Sequence, residues 1–493
     1  MRFWHLATAT AAAGLAAGCL AFAAPALASS SSAPAASVTG TSAVPVTGTA
    51  SGDRAACVDT PLTITFPSAP SLGTSGSITV HSADGSVADS IDLADPASFT
   101  ETVGGATDEA GNLHYFRYYP VIVSGDTATV YLHHELDYGH TYYVTVDPGV
   151  FSGFGGISSP DGWRFTTRAR APRPGARVLT VDSHGHGDFC TVQGAINAVA
   201  VGNTVPRLIS VAPGTYTELD WVAPDKPDIT VRGASETGTV IQYANNDSLN
   251  AENTTDICAR QAMPVHDNYN CWRSDFSVEA NDFTLRNLTI RNTTPYGGSQ
   301  AEAFRGNADR ITLEHVRLLS YQDTIRLQGL GYVADSYIQG DVDFTWGTGT
   351  VFWTRDVLRS MHAGYVSQVR NPAGQHGYVF YRDTLLAAPG VADGSVYLGR
   401  IDPTVYPYSQ SVFIDTRMGP QVNPAGWLLN NADCSAGENL QFWEYGSVTL
   451  TGQPVDTSQR LACSRQLTAA QAAQWSDPAF VLNGWSPPLA EKQ

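Results

Sequence analysis

Four short segments in the second half of this 493-residue chain hold carboxylates and carboxamides at a near-constant interval. They are Ser299-Gln300-Ala301, Tyr321-Gln322-Asp323-Thr324, Gly340-Asp341-Val342-Asp343-Phe344 and Leu398-Gly399-Arg400. Gln300 and Gln322 are 22 residues apart, and Asp323 and Asp343 are 20 apart. A step of that size is one turn of a parallel β-solenoid. Stacked turns lie about 4.8 Å apart, so residues one period apart can project side by side from one face. Two carboxylates, two carboxamides and an arginine gathered in that way are the parts of a hydrolytic acyl-transfer site. One carboxylate can attack a carbonyl while the other moves a proton. Amide N–H groups can hold the oxyanion, and the guanidinium can keep the nucleophile ionised.

Such a site needs a stack of short strands beneath it. Repeated apolar runs begin after a Pro/Arg-rich hinge at Arg168 to Pro174: Arg207 to Val211, Ile229 to Arg232, Phe283 to Leu285, Leu288 to Ile290, Ile311 to Leu313 and Val316 to Leu319. Each alternates apolar and polar residues, with Asn, Asp or Gly between the runs. The runs continue through Tyr332-Val333, Val351 to Trp353 and Tyr378 to Phe380. The fold expected is all-β, a right-handed parallel β-helix. A propeller would repeat at blade length, about 40 residues, and no such repeat is visible. The amphipathic stretch Thr191 to Ala200 predicts a short helix closing the solenoid's open end, where a bare rung would expose unpaired backbone.

Ahead of the hinge, residues 55–168 carry short β-like runs separated by turn clusters such as Ala83-Asp84-Gly85. Examples are Leu62 to Phe66, Ser77 to Val80, Thr127 to Leu132 and Thr141 to Val146. That spacing predicts a β-sandwich. The segment resembles bacterial Ig-like domains found beside secreted enzymes. It holds no catalytic constellation, and is read as a spacer or stabilising module, dispensable for chemistry. Residues 29–54 are Ser/Ala/Thr/Pro/Gly-rich and read as a linker.

Residues 1–28 read as a secretory signal. Arg2 gives a positive start, Leu6 to Ala24 is apolar, and Ala26-Leu27-Ala28 resembles a small-x-small cleavage site. Ala17-Gly18-Cys19 resembles part of a lipoprotein box, but Ala16 stands where Leu is usual. A secreted, extracellular protein is expected, without a membrane anchor in its mature form. The net charge of −18 argues against nucleic acid and anionic membranes as partners. An anionic substrate must then meet a local basic patch or arrive neutralised. The chain is expected to be a monomer.

Removing the signal leaves Cys57, Cys190, Cys258, Cys271, Cys434 and Cys463, an even number in a secreted chain. A Cys258–Cys271 bridge would close a short loop, and Cys434–Cys463 would tie the C-terminal segment. Cys57 and Cys190 remain, as a bridge or as two buried thiols. No CxxC pair occurs, which argues against structural zinc.

The motifs also resemble those of a known family, the pectin methylesterases. Gly214-Thr215-Tyr216-Thr217-Glu218 resembles their G-x-Y-x-E segment, and Gln300-Ala301-Glu302-Ala303 resembles Q-A-V-A. Tyr321 to Thr324 matches Y-Q-D-T, Gly340 to Phe344 resembles G-x-x-D-F, and Leu398-Gly399-Arg400 matches the start of L-G-R-P-W. All five occur in the family's order, across about residues 175–488. The resemblance implies a secreted esterase acting on methyl-esterified pectin. It implies Asp343 as nucleophile and Asp323 as acid, then base. Gln300 and Gln322 would be oxyanion donors and Arg400 the partner of Asp343. Thr293 matches a substrate-contacting Thr. The chemistry requires no cofactor and no metal. Tyr216 is expected to be packed, Glu218 to fix a turn, and His184-Gly185-His186 to form a turn rather than a metal site.

One departure concerns the substrate. Ile401 and Asp402 replace the family's Pro and Trp, and that Trp offers an aromatic face to a sugar ring. Trp346 is the leading candidate to replace it, with Tyr321 lining the groove and Tyr406, Tyr408 or Trp427 as further choices. A different acyl substrate, such as another carbohydrate ester or a thioester, is the competing reading. It is motivated by Asp402 and by the long insert from about Asn245 to Cys271. A non-catalytic polysaccharide-binding solenoid would have no need of the acid pair.

Overall fold

In the computed structural model, residues 55–107, 113–247, 249 and 273–487 are described. The signal, Cys19, the linker, the Cys258/Cys271 pair and most of the insert lie outside the described residues.

From Arg207 onward the chain winds through three strands per coil. The first coil is Arg207–Val211, Gly214–Tyr216 and Asp220–Val222, and the second is Ile229–Gly233, Thr239–Tyr243 and Ser274–Val278. Each strand pairs in parallel with its counterpart one coil on, as in Ile209↔Val231, Tyr216↔Ile241 and Asp220↔Phe276. The result is a parallel β-helix. One buried row runs along its inside in register: Ile209, Val231, Leu285, Leu313, Val333, Trp353, Phe380 and Phe413. Stacking of like on like lets aromatic rings meet face to face, with Phe380 and Phe413 centroids 4.5 Å apart. Each fully buried apolar side chain of this row contributes roughly 1.5–3 kcal/mol.

Two pairs of runs predicted as separate strands are single bent strands, Thr284–Asn292 and Ile311–Leu319. The bends fall at Asn287 and His315, with φ of 57° and 54°. In the following coils Asp335, Arg355, Arg382 and Asp415 take the same left-handed conformation, but there the bend interrupts the strand.

The predicted end helix is Val192–Asn197, shorter than Thr191 to Ala200. Thr191 caps it by accepting from Gly194 N–H. Glu218, expected at a turn, instead takes the N–H groups of Val192 and Gln193. Near the C-terminus, helices Ala469–Trp475 and Pro478–Val481 lay Trp475, Val481 and Leu482 against a buried cluster with Phe352 and Val379.

Between residues 56 and 166 the described strands form antiparallel sheets. One has three strands, Leu62–Thr65, Thr127–Val130 and Val121–Ser124. Another has four, Val87–Asp92, Ser77–Ser82, Thr141–Val146 and Arg164–Thr166. They enclose a separate core around Ile64, Val80, Val144 and Trp163. This unit is bonded to the β-helix at several points. Cys57 and Cys190 form a disulfide, closing the alternative of two thiols. Asp59 takes N–H groups of Cys190 and Thr191 and the Thr191 hydroxyl. Tyr118 and Tyr131 share a buried cluster with Trp221 and Tyr243. Cys434 and Cys463 are bridged, as expected.

Candidate active site

The third face of the β-helix is an eight-stranded sheet, and its successive strands carry the candidate residues. Gln300 precedes strand Glu302–Gly306, Gln322 and Asp323 precede Ile325–Leu327, and Asp343 precedes Thr345–Gly347. Gln368 lies in the next strand, Gly364–Val369, and Arg400 in the one after, Val396–Ile401. Backbone hydrogen bonds lock the turns together. Ala301 N–H donates to Gln322 O at 3.2 Å, and Asp323 N–H donates to Val342 O at 3.0 Å. Both acids have left-handed backbones, with φ of 65° at Asp323 and 52° at Asp343. Asp tolerates that region better than most residues.

Arg400 grips Asp343. Its Nε is 2.9 Å from Oδ1 and 3.1 Å from Oδ2, and Nη2 is 2.5 Å from Oδ2. Gln368 Nε2 donates to the same Oδ2 at 3.0 Å, and Arg370 Nε holds Gln368 Oε1 at 2.8 Å. Burial raises the Asp343 carboxyl above its usual range, and the Arg400 hydrogen bonds and charge pull it back. Arg400 also lies over the Tyr365 ring at 4.4 Å.

Asp323 has a different partner. Arg273 Nη2 donates to its Oδ2 at 2.5 Å, and the same guanidinium reaches Glu302 Oε1 at 3.3 Å through Nε. Asp323 is pushed up to about 7. Burial is the largest cause, Arg273 opposes it, and the charges of Asp343 and Glu302 add to it. Repulsion between the two aspartates is thus secondary to desolvation. Neither acid stands openly on a groove, because Asp343 is 4% exposed and Asp323 7%.

Trp346 does not offer the expected sugar-stacking face. It is 2% exposed, and guanidiniums of Arg326, Arg370 and Arg273 lie 4.6, 4.9 and 5.5 Å from its ring centre. The reason is register. Ser277, Arg305, Arg326, Trp346 and Gln368 form one outward row of the sheet, so arginines stack beside the indole. Trp427 is also buried, stacked on Phe442 in the core. Asp402 is held in a turn by Thr404 and Asn431.

Tyr321 and Gln322 line a cavity of about 150 Å³ with Tyr296, Ser299 and Asp341. Tyr296 is 59% exposed and stacks on His362 at 3.6 Å between ring centres, with Tyr321 at 5.5 Å. His362 Nδ1 is 3.2 Å from Asp341. Gln300 is half-buried, and its carbonyl accepts from Asp247 N–H. Thr293 is exposed, and its N–H donates to Tyr243 O. His184 and His186 both face Asp182, at 3.2 and 3.4 Å, in a turn.

Sequence reasoning missed Arg273, Glu302, Gln368, Arg370 and the Tyr296–His362 pair. Gln368 lies 25 residues after Asp343, close to the coil period, so the spacing that found the acids could have found it. Arg273 follows the insert and has no periodic signal.

Comparison with known proteins bears on this arrangement. A family model described as Pectinesterase matches residues 178–484. The chain is similar to Pectinesterase 31 of Arabidopsis thaliana, 32% identical over 308 residues that cover 62% of this chain and 92% of that protein. A pectinesterase of Ralstonia solanacearum is 29% identical over 338 residues, covering 60% and 85%. Among solved structures, the pectin methylesterase PemA from Erwinia chrysanthemi aligns with a TM-score of 0.51 at 25% identity, covering 64% of this chain and 99% of that one. A pectin methylesterase in complex with a hexasaccharide aligns with the same score and identity, covering 63% and 98%. The carrot pectin methylesterase shares the fold, with a TM-score of 0.54 at 22% identity over 62% and 93%. The fold shared with these neighbours is the right-handed β-helix.

Proposed function

The chain belongs to the pectinesterase family and is a carboxylic ester hydrolase, and from that premise we propose that it is a secreted pectin methylesterase with Asp343 as nucleophile and Asp323 as acid and base. The observation that carries this reading is the forked Arg400–Asp343 pair, one coil beyond an acid pushed up to about 7. The ionised Asp343 oxygen attacks the methyl-ester carbonyl, and N–H groups of Gln300 and Gln322 hold the oxyanion. Asp323 gives its proton to the departing methanol, leaving an acyl bond to Asp343. Asp323, now ionised, takes a proton from water. The hydroxide attacks the acyl carbon, the acyl–Asp343 bond breaks to free the Asp343 carboxylate, and the galacturonic acid formed loses its proton to solvent. Tyr321 and Thr293 belong to the substrate-binding surface in this reading. Residues 1–28 serve as the export signal, residues 55–168 are Ig-like, and the protein works as a monomer.

Methanol release from methyl-esterified polygalacturonate tests the proposal. Release by the wild type and none by Asp343→Asn supports it. Hydrolysis of other carbohydrate esters or thioesters without methanol from pectin would favour the competing substrate, a reading to which Asp402 in the place of Trp lends support.

A further inference from the structure

Asp323 does not stand alone with Asp343. It belongs to a cluster of four charges, three of them carboxylates, of which Arg273, Glu302 and Asp323 are buried and Asp247 half-buried. Arg273 is 3% exposed and each of its nitrogens points at a different acid. Nη2 meets Asp323 Oδ2 at 2.5 Å, Nε meets Glu302 Oε1 at 3.3 Å, and Nη1 meets Asp247 Oδ1 at 3.4 Å. A planar fork held at all three corners cannot swing. Glu302 is fully buried, and its Oε2 has no hydrogen-bond partner among the described residues. Burying a carboxylate costs several kcal/mol unless it is paired, and burial raises the Glu302 carboxyl while Arg305 and Arg273 hold it down. It also stands where the pectin methylesterase Q-A-V-A segment has Val, so this chain has placed a charge where an apolar residue would fold at lower cost.

The cluster resolves a conflict in the mechanism. An arginine 2.5 Å from a carboxylate holds it ionised, which would make Asp323 a poor proton donor. Here Glu302 and Asp247 already share the guanidinium's charge. Arg273 can then keep its hydrogen bond to Oδ2 while a proton sits on the other oxygen. We propose that Arg273 and Glu302 form a charge-balanced clamp that positions Asp323 and lets it carry its proton at neutral pH. Arg273 is the positioning residue and Glu302 its counterweight. This rests on Asp323 being the acid and base of the reaction.

Among the described residues, charged groups face the clamp from several coils, and Arg400 acts on Asp323 as well. Asp323 faces Arg273, Asp343, Glu302 and Arg370. Glu302 faces Arg305 as well as Arg273 and Asp247. Asp343 faces Arg400, Arg370 and Asp341. The two halves of the clamp therefore act on Asp323 with opposite sign. Without the Arg273 charge, Asp323 holds its proton to higher pH. Without the Glu302 charge, Asp247 alone shares the Arg273 guanidinium with Asp323, and the proton leaves at lower pH.

The experiment is the pH profile of kcat/KM for methanol release by the full chain. Arg273→Gln moves the alkaline limb up by roughly one pH unit or more. Glu302→Gln moves it down, and Arg273→Lys lies between Arg273→Gln and the wild type. The acid limb, governed by Asp343, stays in place in all three. Limbs unmoved in variants that melt like the wild type would overturn the clamp, as would shifts of the same sign in both Gln variants. If Arg273→Gln fails to fold, the downward shift of Glu302→Gln decides alone. If the wild type releases no methanol, the functional reading fails instead. Carbon-13 NMR titration of the Asp323 carboxyl, assigned with Asp323→Asn, then tests the same opposite shifts without turnover.

Discussion

Arg400 reaches across 57 residues of chain to hold both oxygens of Asp343, with Nε at 2.9 and 3.1 Å and Nη2 at 2.5 Å. Two coils of the β-helix separate the strands involved, so the pair exists only when the rungs are stacked. A fork of this kind fixes the plane of the carboxylate and keeps it ionised. Asp343→Asn presents an amide that cannot attack an ester. Methanol release should fall to background, while Asp323→Asn should lose about 10²–10⁴-fold by removing the proton donor. Near wild-type release by Asp343→Asn would sink the assignment. Because both acids are buried, a melting curve should accompany each assay.

The pH dependence follows from the two environments. In the proposed mechanism Asp323, pushed up to about 7 by burial first and then by Asp343 and Glu302, must be protonated when methanol leaves. That form is lost as pH rises through its folded value, so kcat/KM should decline above about pH 7. Asp343 must be ionised to attack, and burial raises it while Arg400 opposes the rise. Protonating it at acid pH should end activity from the other side. A kcat/KM profile flat from pH 6 to well past 9 would contradict this assignment.

Trp346 and Tyr296 should separate stability from substrate binding. Trp346→Ala removes a buried indole from among three guanidiniums and should cost about 3–5 kcal/mol of stability. Any activity loss should be equal on methylated pectin and on a small aryl ester. Tyr296→Ala removes an exposed ring beside the cavity of Tyr321 and Gln322. Losing a sugar–aromatic contact of roughly 0.5–1.5 kcal/mol should lower kcat/KM about two- to tenfold on pectin alone. Equal losses on both substrates for Tyr296→Ala would remove that ring from the binding surface.

The segment before the hinge should not be separable from the β-helix without damage. A chain starting near Pro172 leaves Cys190 without Cys57, strips Asp59 from the residues that open helix Val192–Asn197, and uncovers Trp221 and Tyr243. The Cys57–Cys190 bridge spans 133 residues, and a loop of that size contributes roughly 4–5 kcal/mol in the chain-entropy account. The truncated chain should melt well below the full one, and Cys57→Ser with Cys190→Ser should lie between. Equal melting temperatures for all three would restore the reading of this segment as a spacer.

The sequence alone determined the coil period, because inward apolar runs and turn residues recur at the length of one rung and solenoid stacking is local. That period placed Gln300, Gln322, Asp323 and Asp343 on neighbouring turns of one sheet, and the ordered motifs added Arg400. Tertiary structure decided what surrounds each group. Trp346 read as a platform because it stands three residues after Asp343, where an aromatic is usual in the family. Register put it in a row with Arg305 and Arg326, and cations covered it. Arg273 lies at the end of an insert with no period, so nothing in one dimension connects it to Asp323, 50 residues on. Burial, the largest cause of the raised Asp323 carboxyl, is likewise a property of packed neighbours and not of the residues beside it in the chain. Periodicity fixes which residues share a face. Electrostatics depends on what lies across a few ångströms of space, and that is settled only when separate coils are stacked.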